Sequence, residues 1–449
     1  MFSKVLVANR GAVAARVLRA LYELGVKAAA VYSEADYGAP YLELATETYA
    51  IGPAPAQESY LNQDTLVEVI KRSRAQGVHP GYGFLSENSE FAQRVIDAGA
   101  RFIGPSPRWI SAMGHKTKAR DLAARYGMPV MRGSEILPAE DEAVLAAARA
   151  IGFPVLVKPA GGGGGIGMLP ARNEGELLGA VERSRSMASR GFANPEVYLE
   201  RLIERPRHVE FQVLGDTHGG GVHLFERDCS TQRRNQKVIE EAPAPAIARS
   251  DVESMAARVA ALVREMGYDN IGTVEMLYGQ DGSFNFLEMN TRLQVEHGVT
   301  EEVTGVDLVK AQVRCAAGER LAEILPAAIE VKGHALEARV YAEDPKNFYP
   351  SPGRLKVFRP PQDPEVRVET GYAEGRDVTP HYDPMIAKVI VKAPTREQAI
   401  DRLVEALEAF EIQGPKCNIP AVLAVLRSDA FRSGDVHTGI IAQVLGRKP

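Results

Sequence analysis

The chain has 449 residues and a formal net charge of −5, with 45% hydrophobic and 25% charged residues. That length exceeds one small core and suits two or three packed units of an ordinary globular protein. The charge balance excludes a globally basic nucleic-acid or anionic-membrane binder, so any phosphate chemistry must rest on local positive charge. Cys229, Cys315 and Cys417 are odd in number, far apart and without a CxxC, which favours a reducing compartment. The apolar run before Asn9 and Arg10 is too short for a signal segment, and no stretch approaches the ~18 uncharged apolar residues of a membrane span. A cytoplasmic location is expected, with neither nucleic acid nor membrane as partner.

Lys4–Ala8 reads as a buried strand, Ala12–Leu24 as a helix closed by Gly25, and Val26–Tyr32 as a second strand, a βαβ unit. Its turn, Asn9-Arg10-Gly11, holds one glycine where a dinucleotide fingerprint needs three. The pattern continues through Thr65–Gln76, HPGYGF (79–84), helix Ser89–Ala98 and strand Arg101–Ile103, closing a first unit at 1–113. A second unit covers 114–318. It carries a strand at 154–158, a glycine run, a helix behind Asn173, and helix Asp251–Met266 with a Ser250–Glu253 capping box and Gly267 at its end. The last unit, 334–441, is strand-rich and ends in a helix capped by Thr395 with Gln398 at N3. The fold class is α/β, with α+β character overall.

The most informative stretch is TVEMLYGQDGSFNFLEMNTRLQVEHGVTE, residues 273–301. Asp281-Gly282 between apolar runs is a two-residue hairpin signal. With that turn Gln280 faces Ser283 and Glu275 faces Glu288. Carboxylates directly opposite lie roughly 4.5–5.5 Å apart at Cβ and repel. A divalent cation between them resolves the conflict, and oxygen ligands point to Mg²⁺ or Mn²⁺. If strand alternation persists, Glu288, Asn290, Arg292, Gln294 and Glu296 share one face. The alternative is a solvated face of mixed charge.

KPAGGGGGIGM (158–168) fails the P-loop pattern, because neither Lys-Ser nor Lys-Thr follows the glycines. Strand–glycines–strand describes a hairpin tip whose N–H groups can approach phosphate, with Lys158 as a point charge. From glycine content alone, a ligand-free flexible tip fits equally well.

Together VLVANRG (5–11), HPGYGFLSEN (79–88), the glycine run, RHVEFQV (207–213), ERDCSTQRRNQKVIEEAPAP (226–245), EMNTRLQVEH (288–297) and ALEARVYAEDP (335–345) resemble the biotin carboxylase family of ATP-grasp enzymes. The resemblance covers nearly the whole chain. It implies a Rossmann-like N-terminal domain (1–113), an ATP-grasp domain (114–318) with a mobile glycine-tipped lid at about 131–203, and a β-rich C-terminal domain (334–441). It implies an ATP-dependent ligase that uses Mg²⁺ or Mn²⁺ and bicarbonate to carboxylate biotin through carboxyphosphate. That would be the first half-reaction of an acyl-CoA carboxylase, foremost acetyl-CoA, or of a keto-acid carboxylase. The biotin would sit on a carrier protein. No Met-Lys dipeptide occurs and no transferase-sized extension follows, so separate biotin carboxyl carrier and carboxyltransferase chains are expected, with the chain itself a homodimer.

By the same resemblance, Lys116 and Lys158 contact nucleotide phosphates, and Gly164 and Gly165 belong to the lid above them. Glu200 and Leu202 flank the adenine, while His208, Gln232 and Asn235 line the nucleotide site. Glu275, Glu288 and Asn290 hold the divalent ions. Lys237, Arg292, Gln294 and Val295 bind bicarbonate, with Glu296 as the base that deprotonates it. Arg339 stabilises the biotin enolate and Tyr82 lies near the biotin ring. These residue types suit the reaction: a carboxylate base and fixed positive charge assist a weak nucleophile, and a closed lid shields carboxyphosphate from water.

Two further readings stay open on sequence alone: another bicarbonate-activating ATP-grasp ligase of carbamoyl-phosphate-synthetase type, and a nucleotide-binding regulatory subunit. The chain also departs from the family pattern. Ile166 stands where relatives commonly carry Arg or Lys, Asn235 where many carry His, Gly298 where Pro is common, and Arg201 where Lys is frequent. The first departure removes a charge above the phosphates. Ile166→Arg is expected to lower the apparent KM for ATP in a steady-state ADP-release assay; an unchanged or higher KM would count against that reading.

Overall fold

The computed structural model describes residues 1–161, 167–192 and 194–447. The N-terminal unit is a five-stranded parallel sheet in the order β3-β2-β1-β4-β5. Its strands are β1 (Lys4–Val7), β2 (Lys27–Tyr32), β3 (Glu47–Ala50), β4 (Gly77–His79) and β5 (Arg101–Phe102). Both faces are covered, as parallel sheets require. Val5 and Val7 pack with α1 (Gly11–Glu23), while Leu6 packs with α2 (Gln63–Ser73) and α3 (Ser89–Asp97). Asn62 and Asn88 cap α2 and α3 by accepting from the N–H groups of Thr65 and Phe91.

Strand order reverses between β1 and β4, and ligands of open α/β sheets bind at such a point. The two loops that leave it are tied together. Asn9 Nδ2 donates to the carbonyls of Pro80 (2.6 Å) and Tyr82 (2.8 Å). Gly81, at φ +64°, passes so close that a Cβ there would stand 2.8 Å from Asn9 Nδ2.

After α4 (Pro107–Met113) and α5 (Lys116–Arg125), a small layered unit forms with its own core, including Val144, Val155, Val157, Leu177, Val181 and Leu199. It contains α6 (Asp141–Ile151), β6 (Val155–Pro159), β7 (Leu169–Ala171), α7 (Glu174–Phe192) and β8 (Val197–Arg201). β6 and β7 pair antiparallel, so the glycine run does join two strands of a hairpin. Of that run, Gly162 to Gly165 and Ile166 lie outside the described residues, and with them the sites expected at Gly164 and Gly165.

The largest sheet has eight strands in the order β13-β12-β9-β10-β11-β14-β19-β17. They are β9 (Arg207–Gly215), β10 (Gly221–Arg233), β11 (Gln236–Ala242), β12 (Asn270–Tyr278), β13 (Phe284–Asn290), β14 (His334–Tyr341), β17 (Val366–Glu369) and β19 (Met385–Ala393). It runs without a break from the second unit into the third. Two short ladders, β15 (Gly353–Arg354) with β18 (Asp377–Val378) and β16 (Val357–Arg359) with β20 (Glu411–Gln413), stand beside it. Along β9 the residues alternate. Val209, Phe211 and Val213 pack on α8 (Arg249–Met266), leaving His208, Glu210 and Gln212 for the opposite face. Each fully buried Val or Phe contributes about 1.5–3 kcal/mol, which offsets the cost of a polar face behind it.

Three expectations need correction. The box Ser250–Glu253 does not form: α8 starts at Arg249 with Ala248 as N-cap, because Arg249 is drawn onto buried Glu226 and brings the chain into the helix early. The hairpin loop has three residues, Gln280–Gly282, since Gly279 N–H donates to Ser283 O (2.9 Å) and Gly282 takes φ +80°. Gln280 therefore does not face Ser283. One extra residue in β13, at Leu287, shifts the register back, so Glu275 does pair with Glu288. Finally, strand alternation stops at Asn290. Thr291 N–H donates to the Glu87 carboxylate (3.1 Å) instead of to a strand, and the chain turns into α9 (His297–Thr304).

The third unit docks on the first through Gly371, where a Cβ would lie 2.4 Å from the Gly11 Cα. Gly371→Ala is expected to cost about 1–3 kcal/mol by overpacking against backbone that cannot yield. The check is a lower midpoint in urea unfolding followed through the single tryptophan, Trp109.

Candidate active site

A cavity of about 490 Å³ opens where the N-terminal loops meet the polar face of the large sheet. One end is lined by Asn9, Arg10, Tyr82, Phe84 and Tyr382, the other by His208, Asn235, Lys237, Glu275, Glu288 and Asn290. Arg292, Gln294, Val295 and Arg339 lie in its wall as well. Tertiary structure thus gathers eleven of the residues expected from sequence around one space.

Lys237 is the hub. Its ammonium contacts Glu210 Oε2 at 2.5 Å, Glu296 Oε1 at 2.6 Å and Glu275 Oε1 at 2.8 Å. Burial alone would lower Lys237, but Glu210, Glu275 and Glu296 hold it well above the usual lysine range. Burial would likewise raise Glu296, yet Lys237, Arg339 and Arg227 keep it well below the usual carboxylate range. Arg339 donates from Nε to Glu240 (2.6 Å) and from Nη2 to Glu296 (2.9 Å). Glu296 is fully buried beneath Lys237 and Arg339 rather than in the cavity wall.

Glu275 and Glu288 face each other across β12 and β13. Against the effect of burial, Lys237 and His208 hold Glu275 below its usual range, whereas burial and Glu275 push Glu288 up. Asn290 Nδ2 is buried without a partner. Two opposed carboxylates, one of them destabilised as an anion, beside an amide form an oxygen-rich set that suits a hard divalent cation. Gln232 donates its amide to His208 Nδ1 (2.9 Å), and His208 Nε2 stands 3.0 Å from Glu275 Oε2 without forming an aligned hydrogen bond.

The loop after β13 is held by side chains. Arg292 donates to Glu87 (2.8 Å), Asn290 Oδ1 (2.9 Å) and Gln294 Oε1 (2.7 Å), and Gln294 Nε2 reaches Glu275 (3.0 Å). Lys388, fully buried, donates to the Val295 carbonyl at 2.6 Å. Asn235 and Arg234 form the two-residue turn between β10 and β11, both at positive φ (63° and 49°). Such a turn favours Asn, which accounts for the residue standing there.

Lys116, Lys158, Glu200, Leu202 and Gln232 are not in the wall of this cavity. Lys158 and Glu200 pair with each other across β6 and β8 at 2.6 Å, in a buried ion pair. Lys116 opens α5 close to Glu288; burial lowers it, with Glu288 opposing. Leu202 follows β8, its N–H donating to Pro154 O (3.0 Å). Four residues were missed from sequence: Glu87, Glu210, Arg227 and Glu240. For Glu210, Arg227 and Glu240 the available signal was a charge within a largely buried strand, whereas Glu87 lies outside any strand and carried no such signal.

Arg227 is fully buried and donates to Glu210 (2.6 Å), Gln212 (2.8 Å) and Thr300 (2.9 Å). Removing one partner of such a pair strands the other charge and costs about 3–5 kcal/mol. Arg227→Ala is therefore expected to lower the urea-unfolding midpoint more than any exposed Arg→Ala change does.

Family models match the chain in sequence order: the biotin carboxylase N-terminal domain at 1–110, the ATP-binding domain of the carbamoyl-phosphate synthase L chain at 115–324, and the biotin carboxylase C-terminal domain at 337–443. The chain is 48% identical to biotin carboxylase 2 of Bacillus subtilis over 99% of its own length and 100% of that protein. It is 46% identical to a pyruvate carboxylase subunit from Methanothermobacter thermautotrophicus, over 98% and 90% of the two chains. Among solved structures, the biotin carboxylase domain dimer of Hydrogenobacter thermophilus 2-oxoglutarate carboxylase, in complex with MgADP, ADP and bicarbonate, superposes with a TM-score of 0.94. That domain is 42% identical, with all of both chains covered. Matched from end to end, with the three domain types in this order, the chain belongs to the biotin carboxylase family.

Proposed function

We propose that the chain catalyses the ATP- and bicarbonate-dependent carboxylation of biotin on a carrier protein, through carboxyphosphate. The observation that carries this reading is the placement of Glu296 between Lys237 and Arg339, two residues of the cavity wall that shield it from the cavity itself. In this reading residues 1–113, 114–318 and 334–441 are the Rossmann-like, ATP-grasp and C-terminal domains.

Glu275, Glu288 and Asn290 would hold Mg²⁺ or Mn²⁺, which neutralises charge on the phosphoryl group under transfer. Lys116 and Lys158 would contact the nucleotide phosphates, with Glu200, Leu202, His208, Gln232 and Asn235 lining the nucleotide site and Gly164 and Gly165 assigned to its lid. Lys237 and Arg292 supply fixed positive charge for bicarbonate, with Gln294 and the backbone at Val295 orienting it.

Glu296 is the base, and its present ion pairs explain how its strength is regulated. Paired with both Lys237 and Arg339 it is a poor proton acceptor. An anion engaging Lys237 and Arg292, and a ureido oxygen engaging Arg339, compete for those cations and raise the basicity of Glu296. The base is thereby armed only when both substrates are present. Tyr82 and Arg339 stand at the biotin end, where Arg339 would stabilise the enolate.

Relatives named for different acceptors match this chain at similar identity, 46% and 42% for the pyruvate and 2-oxoglutarate enzymes. We therefore assign the choice between acetyl-CoA, another acyl-CoA or a keto acid to a carboxyltransferase partner. We read the chain as a homodimeric subunit served by a biotin carrier. No described helix is long and apolar enough to cross a membrane.

The test is ADP release with MgATP and bicarbonate, with and without free biotin. Biotin is expected to stimulate release, and Glu296→Gln to abolish the stimulated part. Release that is indifferent to biotin but stimulated by ammonia would instead favour a carbamoyl-phosphate-type ligase.

A further inference from the structure

Glu240 and Glu337 have no role in the chemistry above, yet both are at 0% exposure. They stand directly opposite each other in the β11–β14 ladder, where like charges repel. Neither lines the cavity, so this pair differs from Glu275 and Glu288 in having no ligand space between its members. Among the described residues, both Glu337 oxygens and Glu240 Oε2 lack any hydrogen-bond partner. A buried, unpaired carboxylate oxygen is costly, and three in one place call for a donor.

The surrounding cations are committed elsewhere. Arg339 serves Glu240 Oε1 and Glu296 Oε2. Lys388 stands 3.5 Å from Glu337 but 2.8 Å from Glu369, and donates to Val295 O. Lys237 is shared by Glu210, Glu275 and Glu296. Glu296 beside Glu240 and Glu369 beside Glu337 add further negative charge, and Tyr82 and Cys229 nearby are both pushed up by burial and so neutral.

We propose that Glu240 and Glu337 share one proton, and that this proton-bridged pair is a positioning device holding Arg339 against Glu296. One O–H···O⁻ bond across the ladder satisfies two of the three orphaned oxygens and removes the repulsion. It also leaves Glu240 with a partial charge, enough to orient the guanidinium without withdrawing it from Glu296. Burial, only partly offset by Arg339 at Glu240 and by Lys388 at Glu337, pushes the two carboxyls up to about 7 and about 8. They titrate as a unit.

Loss of the proton at alkaline pH places two full charges beside Arg339 and draws it towards Glu240. Biotin-dependent turnover then falls. Because the folded state binds more protons than the unfolded chain between the ordinary Glu value and about 8, stability also declines as pH rises through that window.

The importance of Arg339 rests on the proposed carboxylation, so the test separates the two claims. Difference infrared spectra of the wild type against Glu337→Gln at neutral pH are expected to show a protonated-carboxyl band that the variant lacks. Melting temperature should fall more steeply from about pH 6 to about pH 9 in the wild type than in the variant. The alkaline fall in biotin-dependent ADP release should flatten in Glu337→Gln, which has no shared proton to lose. If that variant does not fold, Glu240→Gln takes its place in the infrared comparison, with the same band expected to vanish. Absence of the band, or superposable pH profiles, overturns the proposal. A wild-type enzyme insensitive to biotin would strike the proposed function alone, since the infrared and melting measurements do not depend on turnover.

Discussion

One buried ammonium holds the polar face of this protein together. Three carboxylates on different segments, Glu210 on β9, Glu275 on β12 and Glu296 before α9, converge on Lys237 within 2.8 Å. At an effective dielectric of about 20, one such contact is worth roughly 4 kcal/mol of attraction, which must offset the desolvation of every ion involved. A lone pair would gain little. A cation shared three ways, with Arg227 and Arg339 closing the ring, gives each of the three carboxylates a counter-charge in a buried place.

The large antiparallel sheet makes that arrangement possible. Strand alternation sends Val209, Phe211 and Val213 into the α8 core and leaves His208, Glu210 and Gln212 on the polar face. On β14, Leu336, Ala338 and Val340 join the C-terminal core, so Glu337 and Arg339 emerge on the other side. Because the ladder continues between the second and third units, Glu275, Glu288, Lys237 and Arg339 are fixed relative to one another by backbone hydrogen bonds, and the ion pairs of Lys237 and Arg339 tie in Glu296. That is the preorganisation which a charge-stabilising site needs. The N-terminal unit closes the space with its two switch-point loops and sends Glu87 across to Arg292.

The opposed Glu275 and Glu288 were legible in the sequence, but through a turn assignment that was off by one residue. A three-residue loop and a bulge at Leu287 make two changes of register that cancel at this pair. The run from Glu288 to Glu296 was legible as a polar cluster, whereas the reason offered, a continuing strand, fails after Asn290. A carboxylate 204 positions away takes the next N–H, and no local pattern reports that. Ser250 and Glu253 show the same limit: good capping chemistry is overruled when a tertiary ion pair at Arg249 sets where the helix begins.

What the sequence determined by itself was the set of elements, the apolar faces and the chemical inventory. Hydrophobic period and turn residues act over a few neighbours, and the motif order carries the family. What only the tertiary structure decided was partnership. That Lys237 serves three acids, that Arg227 backs Glu210, that Lys388 holds Val295, and that Glu240 meets Glu337 are contacts between residues distant in the chain. They form because a buried charge must find its counter-charge wherever the packed strands bring one, and sequence spacing does not encode that distance.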